Sequence, residues 1–116
     1  MTEAVERLRE LCLAFPEAHE QVFGGHTIPT WRVNGKIFAQ LEEHGDRLAA
    51  WCKGAPGAQE ILVGSQPDRF FRPAYVGSKG WIGIWLDGDT DWDAVHGLID
   101  ESYRMTAPKR LLKGKP

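Results

Sequence analysis

The segment from Pro67 to Trp85 combines side chains that bind ligands without reacting with them. Its aromatic residues and cations are Phe70, Phe71, Tyr75, Trp81, Trp85, Arg69, Arg72 and Lys79. Aromatic rings stack on flat ligands and on one another, and arginine and lysine hold phosphate or carboxylate groups. This composition therefore predicts a binding surface and not a catalytic centre.

The other residues that could do chemistry do not form a recognisable motif. The histidines and cysteines are His19, His26, His44, His96, Cys12 and Cys52, and they lack the CxxC, HxH and HExxH spacings of zinc sites. The acidic run from Asp87 has Trp92 where a calcium loop needs glycine and Leu98 where it needs glutamate. No glycine-rich phosphate loop is present. We therefore predict no metal, no cofactor and no catalytic residue.

Cys52 is the remaining candidate for a nucleophile, because it follows Trp51 on a predicted strand and histidines occur elsewhere in the chain. No motif that would activate its thiol surrounds it. We interpret Cys52 as an ordinary half-buried thiol and Cys12 as a core thiol. An enzyme with an unnamed reaction stays open as the least favoured function.

The length of 116 residues corresponds to a single domain, which we place at residues 1–110, followed by a basic tail at 111–116. No apolar run approaches the roughly 20 residues of a membrane span, and no apolar signal core follows the N-terminus. We expect a cytoplasmic protein without a membrane partner; the sequence leaves the oligomeric state open and favours a monomer. The net charge of −2 argues against strong non-specific binding to nucleic acid.

Periodicity and turn residues predict an alternation of helices and antiparallel strands. The predicted helices cover 2–14, 56–63 and a stretch from Thr90 capped through Asp93, with a further helical turn at 67–71. A short first strand ends before Gly24-Gly25, and later strands cover 28–33, 36–41, 47–53 and 81–86. Asn34-Gly35 favours the positive φ angles of a type I′ hairpin turn. The pattern indicates an α+β domain of two layers, in which helices pack on an antiparallel meander with one further strand.

Two strings carry a resemblance to a known family. They are Asp68-Arg-Phe-Phe-Arg-Pro-Ala-Tyr-Val-Gly-Ser-Lys-Gly-Trp81 and Ser102-Tyr-Arg-Met-Thr-Ala-Pro-Lys109. With Trp31 to Ala39 and Leu86-Asp-Gly, they make nearly the whole chain similar to the MmcQ/YjbR family of small bacterial proteins. Where many members carry a Trp-Gly-His-Pro-like string, this chain has Gly24 to Pro29, so the contribution of that loop is open.

The resemblance implies a CyaY-like α+β fold and a proposed role in DNA binding through a double wing of β-hairpins. The candidate wings are the Asn34-Gly35 turn, which is flanked by cations, and the turn over 42–47, which is acidic. We therefore expect a weak, salt-sensitive, non-catalytic DNA-binding protein. The alternative is a module that binds a small anionic or aromatic ligand or a protein partner. The residues expected to form either surface are Trp31, Arg32, Lys36, Arg69, Arg72, Tyr75, Lys79, Trp81, Lys109 and Arg110.

Overall fold

The computed structural model describes residues 3–22, 28–87 and 89–112. The helices are α1 (Glu3–Leu13), α2 (Ala58–Ser65), α3 (Trp92–Thr106) and α4 (Lys109–Leu112), with a 3-10 turn at Val76–Lys79. The strands are β1 (His19–Val22), β2 (Pro29–Val33), β3 (Lys36–His44), β4 (Arg47–Cys52), β5 (Phe70–Phe71) and β6 (Ile82–Trp85). The predicted Gly24-Gly25 turn and the tail beyond residue 112 lie outside the described residues.

The six strands form one antiparallel sheet in the order β1-β2-β3-β4-β6-β5. The predicted α+β class, the four-strand meander and the later strand are confirmed. The turn predicted at 67–71 is present at residues 67–69, where the amides of Arg69 and Phe70 donate to the Gln66 carbonyl at 3.0 and 3.1 Å. Phe70 and Phe71 were predicted wrongly, because they pair with Ile84 and Gly83 as a short edge strand. Pairing with a strand more than ten residues away decides that conformation, and local turn signals do not report it.

The β2–β3 hairpin has the predicted turn. Asn34 and Gly35 adopt φ angles of 54° and 77°, which both central residues of a type I′ turn require. A register shift between Trp31 and Arg32 follows in β2. Beyond it the alternation of β3 places Gln40 and Glu42 on one face of the sheet and Leu41 on the other.

Helices α1 and α3 cover one face of the sheet and enclose the main core. Its largest fully buried side chains include Leu8 of α1, Trp31 and Phe38 of the sheet, and Tyr103 of α3. The predicted core position of Cys12 is confirmed. Because the hydroxyl of Ser102 donates to the Phe38 carbonyl at 2.6 Å and accepts from the Lys53 amide at 3.0 Å, α3 is tied to both β3 and the end of β4.

The start of α3 differs by one residue from the prediction. Asp91, and not Thr90, is the N-cap, and its carboxylate accepts from the amides of Asp93 and Ala94. Aspartate is a strong N-cap because its carboxylate accepts hydrogen bonds from free amides and its negative charge is stabilised by the positive end of the helix dipole. In the part of the chain that the structure describes, no helix is long and apolar enough to span a membrane.

Among the described residues no α-helix covers the opposite face of the sheet, which we call the open face. Its second apolar cluster consists of Ala49, Trp51 and Trp81, with Ile37, Phe71, Val76 and Trp85 packed around them. The predicted alternation of β6 is confirmed, since Ile82 and Ile84 join the main core while Gly83 and Trp85 lie on the open face. A Cβ at Gly83 would come within 2.6 Å of three atoms of the Phe71 ring, so glycine allows that ring to lie on the sheet.

Candidate binding face

A groove on the open face combines aromatic walls with polar groups. Its volume is about 510 Å³, within the range of roughly 300–1,000 Å³ of small-ligand sites. Its lining includes Thr30, Ile37, Gln40, Glu42, Trp51 and Tyr75. Strands β2, β3 and β4 supply the floor, and the loop before β6 supplies Tyr75.

Tyr75 lies beside this groove and is 94% exposed. Its backbone has φ 65° and ψ −59°, and the Val76 amide donates to the Ala74 carbonyl at 2.6 Å. This is a γ-turn with a positive central φ, which is rare and strained for a residue with a side chain. Strain of this kind, about 1–3 kcal/mol, persists where surrounding contacts enforce it and is concentrated at functional sites.

Contacts of the following turn hold Tyr75 in this conformation. The amide of Gln59 is buried and donates to the carbonyls of Gly77 and Trp81 at 2.9 and 2.6 Å. The Arg72 side chain lies against Gly77 so closely that a Cβ there would be 2.6 Å from Arg72 Cγ. The loop that presents Tyr75 is therefore fixed to α2 at both ends of its 3-10 turn.

Gln40 and Glu42 form a polar pair within the groove. The Gln40 amide nitrogen donates to Glu42 Oε2 at 2.6 Å, and both side chains are half-buried. Across the described residues, no cation lies within ion-pair distance of the Glu42 carboxylate. We did not predict this pair from the sequence, although the i, i+2 spacing of two polar residues around a buried leucine was a signal for it.

Three lysines lie at one end of the sheet, which we call the lysine end. Lys36 begins β3, Lys53 follows β4 and Lys79 precedes β6, and the strand registers place these ends side by side. The pKa of Lys53 is lowered by burial and then by the charge of Lys36, so the two ammonium groups repel each other. None of the three forms an ion pair with any residue in the described ranges.

Two predicted arginines are close to the lysine end. Arg32 pairs with Ile37 across the hairpin, one residue from Lys36, and its Nε donates to Thr30 Oγ1 in the groove at 3.3 Å. Arg72 follows β5 at the same end and is exposed. The structure thus brings together the predicted cations Arg32, Lys36, Arg72 and Lys79, and adds Lys53, which the sequence interpretation missed.

The other end of the sheet is acidic. Asp46 lies in the β3–β4 turn, and Arg69 lines a small cleft of about 280 Å³ with Asp68, Asp87 and Asp89. The predicted site residue Arg69 is therefore remote from the lysine end. Aspartates are therefore grouped at the end of the sheet opposite the lysine end, although Arg47 and Arg69 lie among them.

An aromatic cluster lies on the open face near the acidic end of the sheet. The ring centroids of Trp85 and Phe71 are 4.4 Å apart at an interplanar angle of 31°, and the guanidinium carbon of Arg47 lies 3.8 Å from the centroid of the Trp85 indole. Arg47 also forms an ion pair with Asp87 at 2.6 Å. Because His44 accepts from the Trp51 indole N–H at 3.3 Å, this cluster continues into the floor of the groove.

Four of the predicted site residues lie away from the groove surface. Trp31 is completely buried under the helix layer, and Trp81 is only 8% exposed because the loop before it folds onto the sheet. Lys109 and Arg110 are in α4 on the helix side, where Arg110 pairs bidentately with Glu17 at 2.8 and 2.9 Å. Non-local packing, which the sequence pattern does not report, buries Trp31 and Trp81 and places Lys109 and Arg110 on the helix side.

Both thiols are buried, and we predict that neither reacts in the folded protein. Burial raises the pKa of the Cys12 thiol well above its ordinary value, and burial together with the Glu101 carboxylate raises that of Cys52 to about 12. Since the thiolate is the reactive species, a thiol-reactive chromogen at pH 8 should label neither cysteine until guanidinium unfolds the chain. Rapid labelling of one thiol under native conditions would contradict this prediction.

Comparison with known proteins agrees with this architecture. The YjbR family model matches residues 13–105. The proteins named "Uncharacterized protein YjbR" from Escherichia coli K12 and from E. coli O157:H7 are each 27% identical to the chain over 102 residues, covering 87% of the chain and 85% of the relative. The crystal structure of Deinococcus radiodurans protein DR2400, described as a DUF419 domain, superposes with a TM-score of 0.77 at 22% identity, covering 87% of this chain and 76% of that one. The chain therefore belongs to the YjbR family.

Proposed function

We propose that the chain binds single-stranded nucleic acid across the open face of its sheet, with no bond made or broken. The observation that carries this proposal is the exposed, strained Tyr75 beside a groove on the open face. One end of the same sheet has three lysines that form no ion pair with any described residue. Single strands are bound by aromatic side chains that stack on bases and by cations that follow the phosphates.

The geometry favours a single strand over a duplex. In a duplex the base planes are stacked on one another and are not available to an aromatic side chain. Tyr75 projects from a loop held above the sheet, and the groove beside it has room for one flat group and not for a helix of paired strands. A base splayed out of a single strand fits both features.

The family resemblance implies two β-hairpin wings that contact DNA. The charges beside the two turns support such a contact for the basic wing only. The Asn34-Gly35 turn and the turn between β3 and β4 lie at opposite ends of the nine-residue β3, about 27 Å apart at roughly 3.4 Å per residue. The first turn adjoins Lys36 and the second carries Asp46. We propose that the first contacts phosphates and that the second stays in solvent.

The expected affinity is low and depends on salt. Four phosphate contacts from Arg32, Lys36, Lys53 and Lys79 give a slope of log K against log salt of about −3 for a single strand. The net charge of −2 opposes long-range attraction. We expect a Kd in the micromolar range or weaker at physiological ionic strength, on the order of that of non-specific complexes.

Fluorescence anisotropy of a labelled thymidine dodecamer, titrated from 50 to 200 mM salt, tests the proposal. The double variant Lys36→Glu, Lys79→Glu should bind about tenfold or more weakly, and its salt slope should fall to about half of the parental value, since two of four contacts are lost. Both lysines are exposed, so the fold should be retained.

The matched control is Arg104→Glu with Lys109→Glu, which makes the same change in net charge on the helix side. This control should bind the dodecamer almost as the parent chain does. If the parent chain does not bind single strands at 50 mM salt, the proposal is wrong. Equal losses in both double variants would mean that net charge, and not the lysine end, governs binding.

A further inference from the structure

We infer that the groove selects a guanine base through the pair Gln40 and Glu42. This inference rests on the proposed function, because it assigns a base to the single strand held on the open face. It goes further in naming the hydrogen-bonding edge that the groove reads.

The pair presents a donor followed by two acceptors. One N–H of the Gln40 amide is engaged by Glu42 Oε2 at 2.6 Å, which orients the second N–H and holds the two groups together. The Glu42 carboxylate has two acceptor oxygens, each able to accept more than one hydrogen bond. The array therefore runs donor, acceptor, acceptor.

The Watson–Crick edge of guanine is the complement of this array. It offers the O6 acceptor followed by the N1–H and N2–H donors, so the amide N–H of Gln40 matches O6 and the Glu42 carboxylate matches the two N–H groups. The pair reproduces the pattern by which cytosine recognises guanine. Adenine, thymine and cytosine each place an acceptor against at least one carboxylate oxygen, which is unfavourable.

The charge of the groove also favours a base edge that carries N–H donors. With no described cation paired to it, the Glu42 carboxylate repels phosphate and favours ligands that bring N–H donors. This separates the roles of the open face, since phosphates belong at the lysine end and the base edge belongs at Glu42. An anionic small molecule is a poor occupant for the same reason.

The remaining walls suit a purine ring. The Trp51 side chain and Ile37 line the floor and Tyr75 stands at the rim, so a base that reaches Glu42 with its edge can place a face against an aromatic ring. Each base–aromatic contact of this kind contributes measurable affinity. Reading a Watson–Crick edge also requires an unpaired base, as the proposed function supposes.

Thymidine dodecamers with one central replacement test the inference. A central deoxyguanosine should bind about tenfold more tightly than thymidine, deoxyadenosine or deoxycytidine, as a bidentate contact predicts. Deoxyinosine lacks the N2 amine and should lose about threefold relative to deoxyguanosine. 7-Deazadeoxyguanosine keeps the Watson–Crick edge and should match deoxyguanosine.

Glu42→Gln should abolish the preference for deoxyguanosine, so that the dodecamers with a central deoxyguanosine and a central thymidine bind with equal affinity. Glu43→Gln is the matched control, because Glu43 is the exposed neighbour on the opposite face of β3 and makes the same charge change. It should retain the preference. If all dodecamers bind alike and binding still depends on Lys36 and Lys79, the guanine inference is overturned and the proposed function stands. A preference for deoxycytidine also overturns it, and absence of all binding overturns both.

Discussion

Replacing Trp31 with alanine is expected to lower the free energy of unfolding by about 3–5 kcal/mol, the largest stability effect of any single change considered for this chain. The Trp31 side chain is 0% exposed, and its indole N–H donates to Glu20 Oε1 at 3.1 Å. Glu20 in turn accepts from Arg9 of α1 at 2.8 Å. The change removes a large buried side chain and leaves a carboxylate with one partner fewer. Urea denaturation followed by circular dichroism measures the effect.

Trp31→Phe is the companion variant, because it keeps most of the ring volume and removes only the hydrogen bond to Glu20. We expect it to cost about 1–2 kcal/mol, so the role of Trp31 can be assessed even if the alanine variant does not fold. A loss below 1 kcal/mol for Trp31→Ala, together with weaker oligonucleotide binding, would return Trp31 to the binding surface that the sequence indicated.

The second large effect is expected at Tyr75, where alanine should weaken binding of the thymidine dodecamer by about tenfold or more. Base–aromatic stacking contributes roughly 1–3 kcal/mol per base, and Tyr75 is the most exposed large apolar side chain of the described chain. Since the ring has few contacts to lose, the free energy of unfolding should change by less than about 0.5 kcal/mol. Anisotropy titration and urea denaturation of the same variant separate the two effects.

Two further substitutions at the same position sharpen this prediction. Tyr75→Phe keeps the ring and should bind nearly as the parent chain does, since stacking does not need the hydroxyl. Tyr75→Gly should raise the free energy of unfolding by about 1 kcal/mol, because glycine adopts the φ of 65° without strain, and should weaken binding as alanine does. Such a gain in stability with a loss of binding would show that the strained backbone at Tyr75 positions the ring for binding. If Tyr75→Ala binds normally, the open face does not use Tyr75 as its stacking residue.

Parts of the candidate site were predictable from local sequence, because the signal and the structure lie within a few residues of each other. The segment around Tyr75 was identified by its rings and cations, and Lys36 by its place beside a predicted hairpin turn. Gln40 and Glu42 were missed because two polar residues on a strand usually face solvent, and only the groove beside them indicates a binding role. Lys53 was missed because its neighbours at the lysine end come from other strands.

The sequence by itself determined the elements whose conformation depends on adjacent residues. Asn34-Gly35 determined a hairpin because both residues tolerate positive φ, and the alternation from Ile82 to Leu86 determined which side chains of β6 enter the core. The family strings also belong to the sequence and were sufficient to identify the α+β architecture.

Only the tertiary structure decided which of these side chains remain available to a ligand. Burial depends on what packs over a residue, so α1 places Trp31 inside the core while Tyr75, from the same predicted surface, is left almost fully exposed. The position of Lys79 beside Lys53 at one end of the sheet arises from the pairing of β4 with β6, whose partners are 30 or more residues apart along the chain. Contacts between segments distant along the chain set these features, and no local pattern encodes such contacts.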